Sequence, residues 1–289
     1  MRNSKLTPVI LLLPLMAVTL TVIIACVNVL LQSIGYVPAF GLTNITLGYY
    51  REVFKRPEFL SALWVSLRIA FVSTLLAAAL GTLLCAALVK RRAGGGMLYT
   101  VRFPILVPHT VVALFIMTLL GQTGIVARAA YGLGLISDYT KFPQILFTPG
   151  YGGAIAGYLW KEIPFVAYYT LALMASVSNT LGEAAENLGA SPLRSFFSVT
   201  LPMSLPAVSK AALIIFIYAF GGYELPALLG STLPKALPVQ AYITYLSPDL
   251  LQRPLAMAMF GVILMLSVLM AALYSIGIRR LIKRLGGEA

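Results

Sequence analysis

Apolar residues along this chain fall into long runs separated by short polar or basic segments. Six runs stand out: Pro8 to Leu31, Ser61 to Val89, Pro104 to Leu120, Gly152 to Val177, Leu205 to Leu229 and Leu255 to Ile278. A hydrocarbon layer of roughly 30 Å takes about 20 apolar residues in helical form, so the pattern predicts six transmembrane helices, the third of them short. Glycines and prolines inside the runs do not weaken that reading, because neighbouring membrane helices can satisfy the backbone groups they free. The expected fold class is all-α, a polytopic membrane protein.

Composition agrees about the medium. Hydrophobic residues make up 60% of the 289-residue chain and charged residues 10%, with a mean hydropathy of +0.91. A soluble domain carries about a quarter charged residues. The net charge of +12 could suggest nucleic acid. The basic residues instead form small clusters beside apolar runs, which is how membrane orientation signals are arranged. With the N-terminus inside, the 21 basic residues divide into 12 inside, 7 outside and 2 within spans. Lys90-Arg91-Arg92 and the cluster Arg279, Arg280, Lys283, Arg284 flank spans on the inner side. Both termini are therefore expected in the cytoplasm. Cys26 and Cys85 lie toward opposite ends of their spans, too far apart for the roughly 7 Å that a disulfide allows, and are expected to be free and buried. Ile23-Ile24-Ala25-Cys26 looks like a lipoprotein processing site, but the apolar run continues to Leu31, so an uncleaved first span is expected.

One polar stretch on the inner side, from Glu183 to Pro202, carries its own start and stop signals. Thr180 followed three residues later by Glu183 reads as a capping box that starts a short helix. Gly189 is placed to end it. Ser191-Pro192 then reads as the N-cap and first position of a second short helix, which Leu201-Pro202 stops. Phe196 and Phe197 are expected to be exposed on this second helix, as aromatic pairs at docking sites are.

The spaced pattern Glu183-Ala184-Ala185, Gly189, Val199 and Leu201-Pro202 resembles the EAA loop of the membrane subunits of binding-protein-dependent ABC importers, with Val199 where that family usually has isoleucine. The resemblance implies a five-helix importer core from about Ser61 to Ile278, with the first span added at its edge. The expected organisation is an N-terminal span and outer loop over 1–60, a transmembrane domain over 61–278 with its EAA loop at 180–202, and a cytoplasmic tail over 279–289. It also implies partners: a separate ATP-hydrolysing subunit, a second permease subunit, identical or related, an extracytoplasmic solute-binding protein, and the bilayer of a bacterial cytoplasmic membrane. Glu183, Ala184, Ala185, Gly189, Ser191, Pro192, Arg194, Phe196, Phe197 and Pro202 would form the ATPase-docking loop.

Catalysis is not expected on this chain. No G-x-x-x-x-G-K-[ST] motif is present, and Ala93-Gly94-Gly95-Gly96 reads as an inner linker, so no nucleotide should bind here. His109 is the sole histidine, which leaves no histidine-based metal cluster and no base for a nucleophile. No cofactor is expected. His109 itself reads as a satisfied packing residue near the inner end of the third span.

Charges inside spans are costly, about 2.5 to 3.5 kcal/mol at the bilayer centre, and so face cavities or partners. Arg68 sits one turn after Trp64 and reads as an arginine snorkelling over an interfacial ring. Lys161 and Glu162 are adjacent, point about 100° apart and precede Pro164, which fits a kinked translocation path or pairing with neighbouring helices. Glu224, in Phe220-Gly221-Gly222-Tyr223-Glu224-Leu225-Pro226, is the sharpest pore candidate, with Tyr223 beside it. That stretch, with Leu237-Pro238-Val239, Pro248-Asp249-Leu250 and the run from Arg253 to Met259, resembles the polyamine, phosphonate, thiamine and ferric-ion branch of the importers. The solute is then expected to be a small charged organic molecule such as a polyamine, with phosphonate, thiamine or ferric ion as alternatives. An ion-coupled secondary transporter or a channel is the reading from another class; it would need no polar docking loop and would show inverted repeats.

Overall fold

A computed structural model describes residues 7–284, with side-chain burial described over 11–277. Arg2 and Lys5 lie outside the described residues, as do the side chains of Arg279, Arg280, Lys283 and Arg284. The described residues are mostly helical: α1 Thr7–Ser33, α2 Gly48–Lys55, α3 Pro57–Lys90, α4 Gly95–Leu106, α5 His109–Leu120, α6 Ile125–Gly132, α7 Gly152–Val177, α8 Glu183–Asn187, α9 Pro192–Ser195, α10 Leu201–Gly221, α11 Glu224–Leu229, α12 Leu237–Tyr245 and α13 Arg253–Arg284. Among the described residues, five segments are long and apolar enough to cross a membrane: Leu11–Ser33, Pro57–Lys90, His109–Gly132, Pro192–Gly221 and Leu250–Gly277. Helix α7 has 26 residues but is less apolar, since Lys161, Glu162 and several glycines and tyrosines interrupt it.

Three expected boundaries move. Pro104 belongs to α4, and the third span begins only at His109, after a break at Val107-Pro108. The fifth span ends at Gly221, and Glu224 to Leu229 form a separate short helix instead of extending it. Leu201-Pro202 does not stop a helix. Pro192–Gly221 is one run in which a π-helical turn, Phe196–Thr200, leads into α10 with Pro202 in its first turn. The π-helical turn, in which the Leu201 N–H reaches back to the Phe196 carbonyl, widens the helix just before Pro202 and so accommodates the missing proline N–H.

The chain forms two compact units, residues 1–60 with 240–266 and residues 61–239 with 267–289. In the first, α1 exposes nearly all of its apolar side chains from Leu11 to Leu31, as a lipid-facing helix does. Tyr50 Oη donates to Ser33 Oγ at 2.8 Å, and Gly261 leaves the room this tyrosine occupies. Arg253 lies over the rings of Tyr245 and Phe40, 4.5 and 5.4 Å from their centroids. Cys26 is half-buried rather than buried, and Cys85 in the second unit is buried; both are free thiols.

In the second unit, α7 is the central helix, packed by α10, α4, α5 and α11. Without a hydrophobic driving force between helices in lipid, close backbone approach through small residues must supply contact. Gly81 of α3 does this, since a Cβ there would fall on Val166 and on the Ile163 carbonyl. Around it Ala77, Val166, Ala211 and Ile215 form one buried cluster, and Cys85, Leu88, Ala167 and Met174 form the next.

Candidate functional site: an interior pocket and an exposed loop

The break between α10 and α11 builds the pocket. Gly222 adopts an extended conformation (φ −68°, ψ 130°), which ends α10 and lets the chain restart at Glu224. A Cβ at Gly222 would overlap the Tyr158 hydroxyl, so only glycine lets α7 and this break approach so closely. The cavity that results holds about 510 Å³ and is lined by His109, Tyr158, Ile217, Tyr218, Gly221, Gly222, Tyr223, Glu224 and Leu225. These residues come from four helices, α5, α7, α10 and α11, and the break between the last two.

Its polar groups converge. The Glu224 carboxylate is half exposed to the cavity and lies 3.7 Å from His109 Nδ1. Tyr218 Oη is 3.0 Å from the same imidazole nitrogen, with the two rings 5.1 Å apart. Tyr158 is buried, edge-on to Tyr218 at 6.5 Å. His109 is largely buried and hydrogen-bonded, as a satisfied packing residue is, and it stands first in α5 between the carboxylate and the tyrosines. The sequence did carry a signal for it, since Pro104 and Pro108 bracket a helix break immediately before the histidine.

Of the other charged residues singled out in the apolar runs, Lys161 stands behind the pocket wall, its Nζ 3.5 Å from His109 Nδ1. Lys161 is buried, and its Nζ donates to the Val107 carbonyl at 2.5 Å. Glu162 is buried beside it, one turn beyond Tyr158 on the same face of α7. Arg68 does not cover Trp64; it donates to the Pro149 carbonyl, while the Trp64 ring stays exposed. A backbone carbonyl left open at a turn is a better partner for a desolvated guanidinium than the face of an exposed ring.

At the loop, the observed structure differs from two isolated short helices. Thr180 makes no capping box: its hydroxyl bonds back to the Ser176 carbonyl, and α7 continues through a π-helical turn, Ser178–Gly182, into α8. The chain turns only at Gly189, whose φ of +95° is a left-handed conformation. The N–H groups of Gly189 and Ala190 bond to the carbonyls of Glu186 and Ala185, a Schellman closure of the helix. Ser191 then caps α9, its Oγ accepting from the Arg194 N–H at 3.3 Å, with Pro192 first in the helix. Glu183 lies 3.6 Å from Arg92, an exposed pair. Ser195 Oγ ties the two arms together by donating to the Gly182 carbonyl at 3.0 Å.

The aromatic pair divides. Phe196 is partly buried against the cluster of Cys85, Leu88 and Met174, whereas Phe197 is exposed, edge-on to it at 5.1 Å. Leu188 at 90% and Leu193 at 73% exposure flank the turn and were not singled out by motif.

Comparison with known proteins agrees with this architecture. Residues 77–285 match the family described as binding-protein-dependent transport system inner membrane component. The chain is 24% identical over 233 residues to the molybdenum transport system permease protein ModB of Haemophilus influenzae, covering 78% of this chain and 96% of that protein. It is 26% identical to the putrescine transport system permease protein PotI of Escherichia coli, over 58% of this chain and 55% of PotI. It is also 28% identical to the sn-glycerol-3-phosphate permease UgpA of Pectobacterium atrosepticum, over 75% and 74% of the two chains. Among solved structures, the bacterial alginate ABC transporter in complex with its alginate pentasaccharide-bound periplasmic protein shares the fold, with TM-score 0.73, 19% identity and coverage of 96% and 98%. The chain belongs to the binding-protein-dependent transport system inner membrane component family and is the permease subunit of an ABC importer.

Proposed function

We propose that this permease carries a small organic cation, such as a polyamine, along a path that passes the pocket at Glu224. The observation that carries the reading is the distribution of charge. Among these charges Glu224 lines the cavity itself, while the Lys161 amine stands behind its wall, bonded to the Val107 carbonyl and 3.5 Å from His109, and the Arg68 guanidinium is held by the Pro149 carbonyl. A carboxylate beside three tyrosines suits an alkylammonium group, which gains both an ion pair and the faces of aromatic rings. The 26% identity to a putrescine permease supports the same class, although other relatives are described as carrying molybdenum and sn-glycerol-3-phosphate.

In this account α7 crosses the membrane as a sixth span, and both termini and the turn at Gly189 face the cytoplasm. The turn docks on a separate ATP-hydrolysing subunit through Leu188, Leu193 and Phe197, and a second permease subunit completes the path. An external binding protein delivers the solute, as the periplasmic protein does in the alginate transporter complex. ATP-driven closure of the ATPase pair shifts the turn, and α7 and α10 carry the shift to the pocket.

Uptake by cells carrying the complete importer tests the solute class. Labelled putrescine, molybdate, sulfate and glycerol phosphate are offered in turn, each with the others as unlabelled competitors. The proposal requires saturable uptake of the amine that the oxyanions do not inhibit. Saturable uptake of an oxyanion, with the amine ignored, would overturn it.

A further inference from the structure

The break at Val107-Pro108 leaves a problem that α7 solves. Val107 and Pro108 are extended, with ψ of 130° and 147°, so α4 stops and α5 starts two residues later. The last carbonyls of a helix have no intrahelical N–H, and Pro108 offers none. In an apolar interior no water replaces the missing donors. The Lys161 amine, on a side chain only 8% exposed, donates to the Val107 carbonyl at 2.5 Å. Its charge stands at the negative end of the α4 dipole, where a cation is stabilised. The same amine is 3.5 Å from His109 Nδ1, on the other side of the break. One α7 side chain thus contacts both helices that the break separates.

A second cation crosses the same interface in the opposite direction. Arg102 of α4 donates to the Tyr168 hydroxyl of α7, with its guanidinium 4.2 Å from the centre of that ring. Lys161 and Tyr168 are seven residues apart and so share one face of α7.

We infer that Lys161 is a positioning residue for transport: with Arg102 it straps α4 to α7 and holds His109 in the pocket wall beside Glu224. Helix α7 runs on through the π-helical turn into the Gly189 loop, so movement of the loop reaches α7 directly. The strap makes the start of α5 follow α7. Glu224 sits on a different element, α11, so the His109 to Glu224 separation of 3.7 Å changes whenever α7 moves against α10 and α11. The strap itself stands on geometry alone; its effect on the solute rests on the pocket lying on the solute path.

Hydrogen–deuterium exchange and ATPase coupling in the assembled importer test the strap, using Lys161→Met and Lys161→Arg. The Val107 N–H bonds to Pro104 and the Val112 N–H to Pro108, so these two amides report opening at the break. In Lys161→Met their exchange should quicken about tenfold, a local opening, and ATP hydrolysed per solute imported should rise several-fold. Lys161→Arg keeps a cationic donor and should restore both. Wild-type exchange in Lys161→Met overturns the strap, as does Lys161→Arg with wild-type exchange but Met-like uncoupling. If Lys161→Met does not assemble, the arginine variant decides by the same two readouts. Normal uptake in Glu224→Gln alongside loosened amides in Lys161→Met would fault the pocket reading and leave the strap in place.

Discussion

The turn at Gly189 and the pocket at Gly222 both depend on glycine, for opposite reasons. At Gly189 the demand is conformational: φ is +95° and a Cβ would meet nothing within 4 Å. At Gly222 the φ of −68° suits any residue, and the demand is space, because Tyr158 occupies the place a Cβ would take. The turn is built from neighbours in sequence; the pocket is built from residues up to 116 positions apart, His109 to Leu225. A contiguous element can be read from spacing, whereas a site assembled by packing cannot.

The steric claim predicts the largest effect. Gly222→Ala should overpack the α7 interface by about 1–3 kcal/mol and lower uptake about tenfold or more. Adding Tyr158→Phe removes the hydroxyl that the new methyl would meet and should recover much of the loss. A Gly222→Ala variant with normal uptake and stability would remove the close approach from the argument.

Conformational demand at the turn makes a different prediction. Gly189→Val should cost about 1–3 kcal/mol in the turn and raise the ATP hydrolysed per solute imported, because a β-branched residue strains at positive φ. Gly189→Asn, which tolerates that conformation, should stay near wild type. Equal uncoupling in both variants would show that the turn needs something other than left-handed backbone.

A smaller effect separates the two phenylalanines. Phe197→Ala should leave thermal stability unchanged and weaken association with the ATPase subunit by about 1–2 kcal/mol, as an exposed aromatic anchor would. Phe196→Ala should instead lower the melting temperature through loss of packing on Leu88 and Met174. Reversed outcomes would contradict the burial that divides the pair.

Much of the loop was legible in sequence, and its errors are instructive. Gly189 and Ser191-Pro192 act as local signals because backbone sign and cap chemistry involve only adjacent residues. Thr180 and Pro202 misled because helix ends depend on what continues beyond them. A π-helical turn carries α7 past Thr180, and another, just before Pro202, widens the helix enough to take the proline. In the pocket, Glu224 and its glycines were visible, since a charge within an apolar run is conspicuous. Tyr158 was not, and the place of His109 beside Glu224 was not, because only the packing of α5 and α7 against the α10–α11 break brings them there. Lys161 looked like a path residue by its charge; the break in α4, hidden between Pro104 and Pro108, supplies its partner.

Uptake by Glu224→Gln in the reconstituted importer tests the central claim most directly. The substitution keeps shape and hydrogen-bonding capacity while removing the charge beside His109. With labelled putrescine as solute, uptake should fall about tenfold or more, an ion-pair contribution of about 1.4 kcal/mol, while assembly with the ATPase subunit stays intact. Undiminished uptake in an assembled Glu224→Gln importer would contradict a cation path through this pocket.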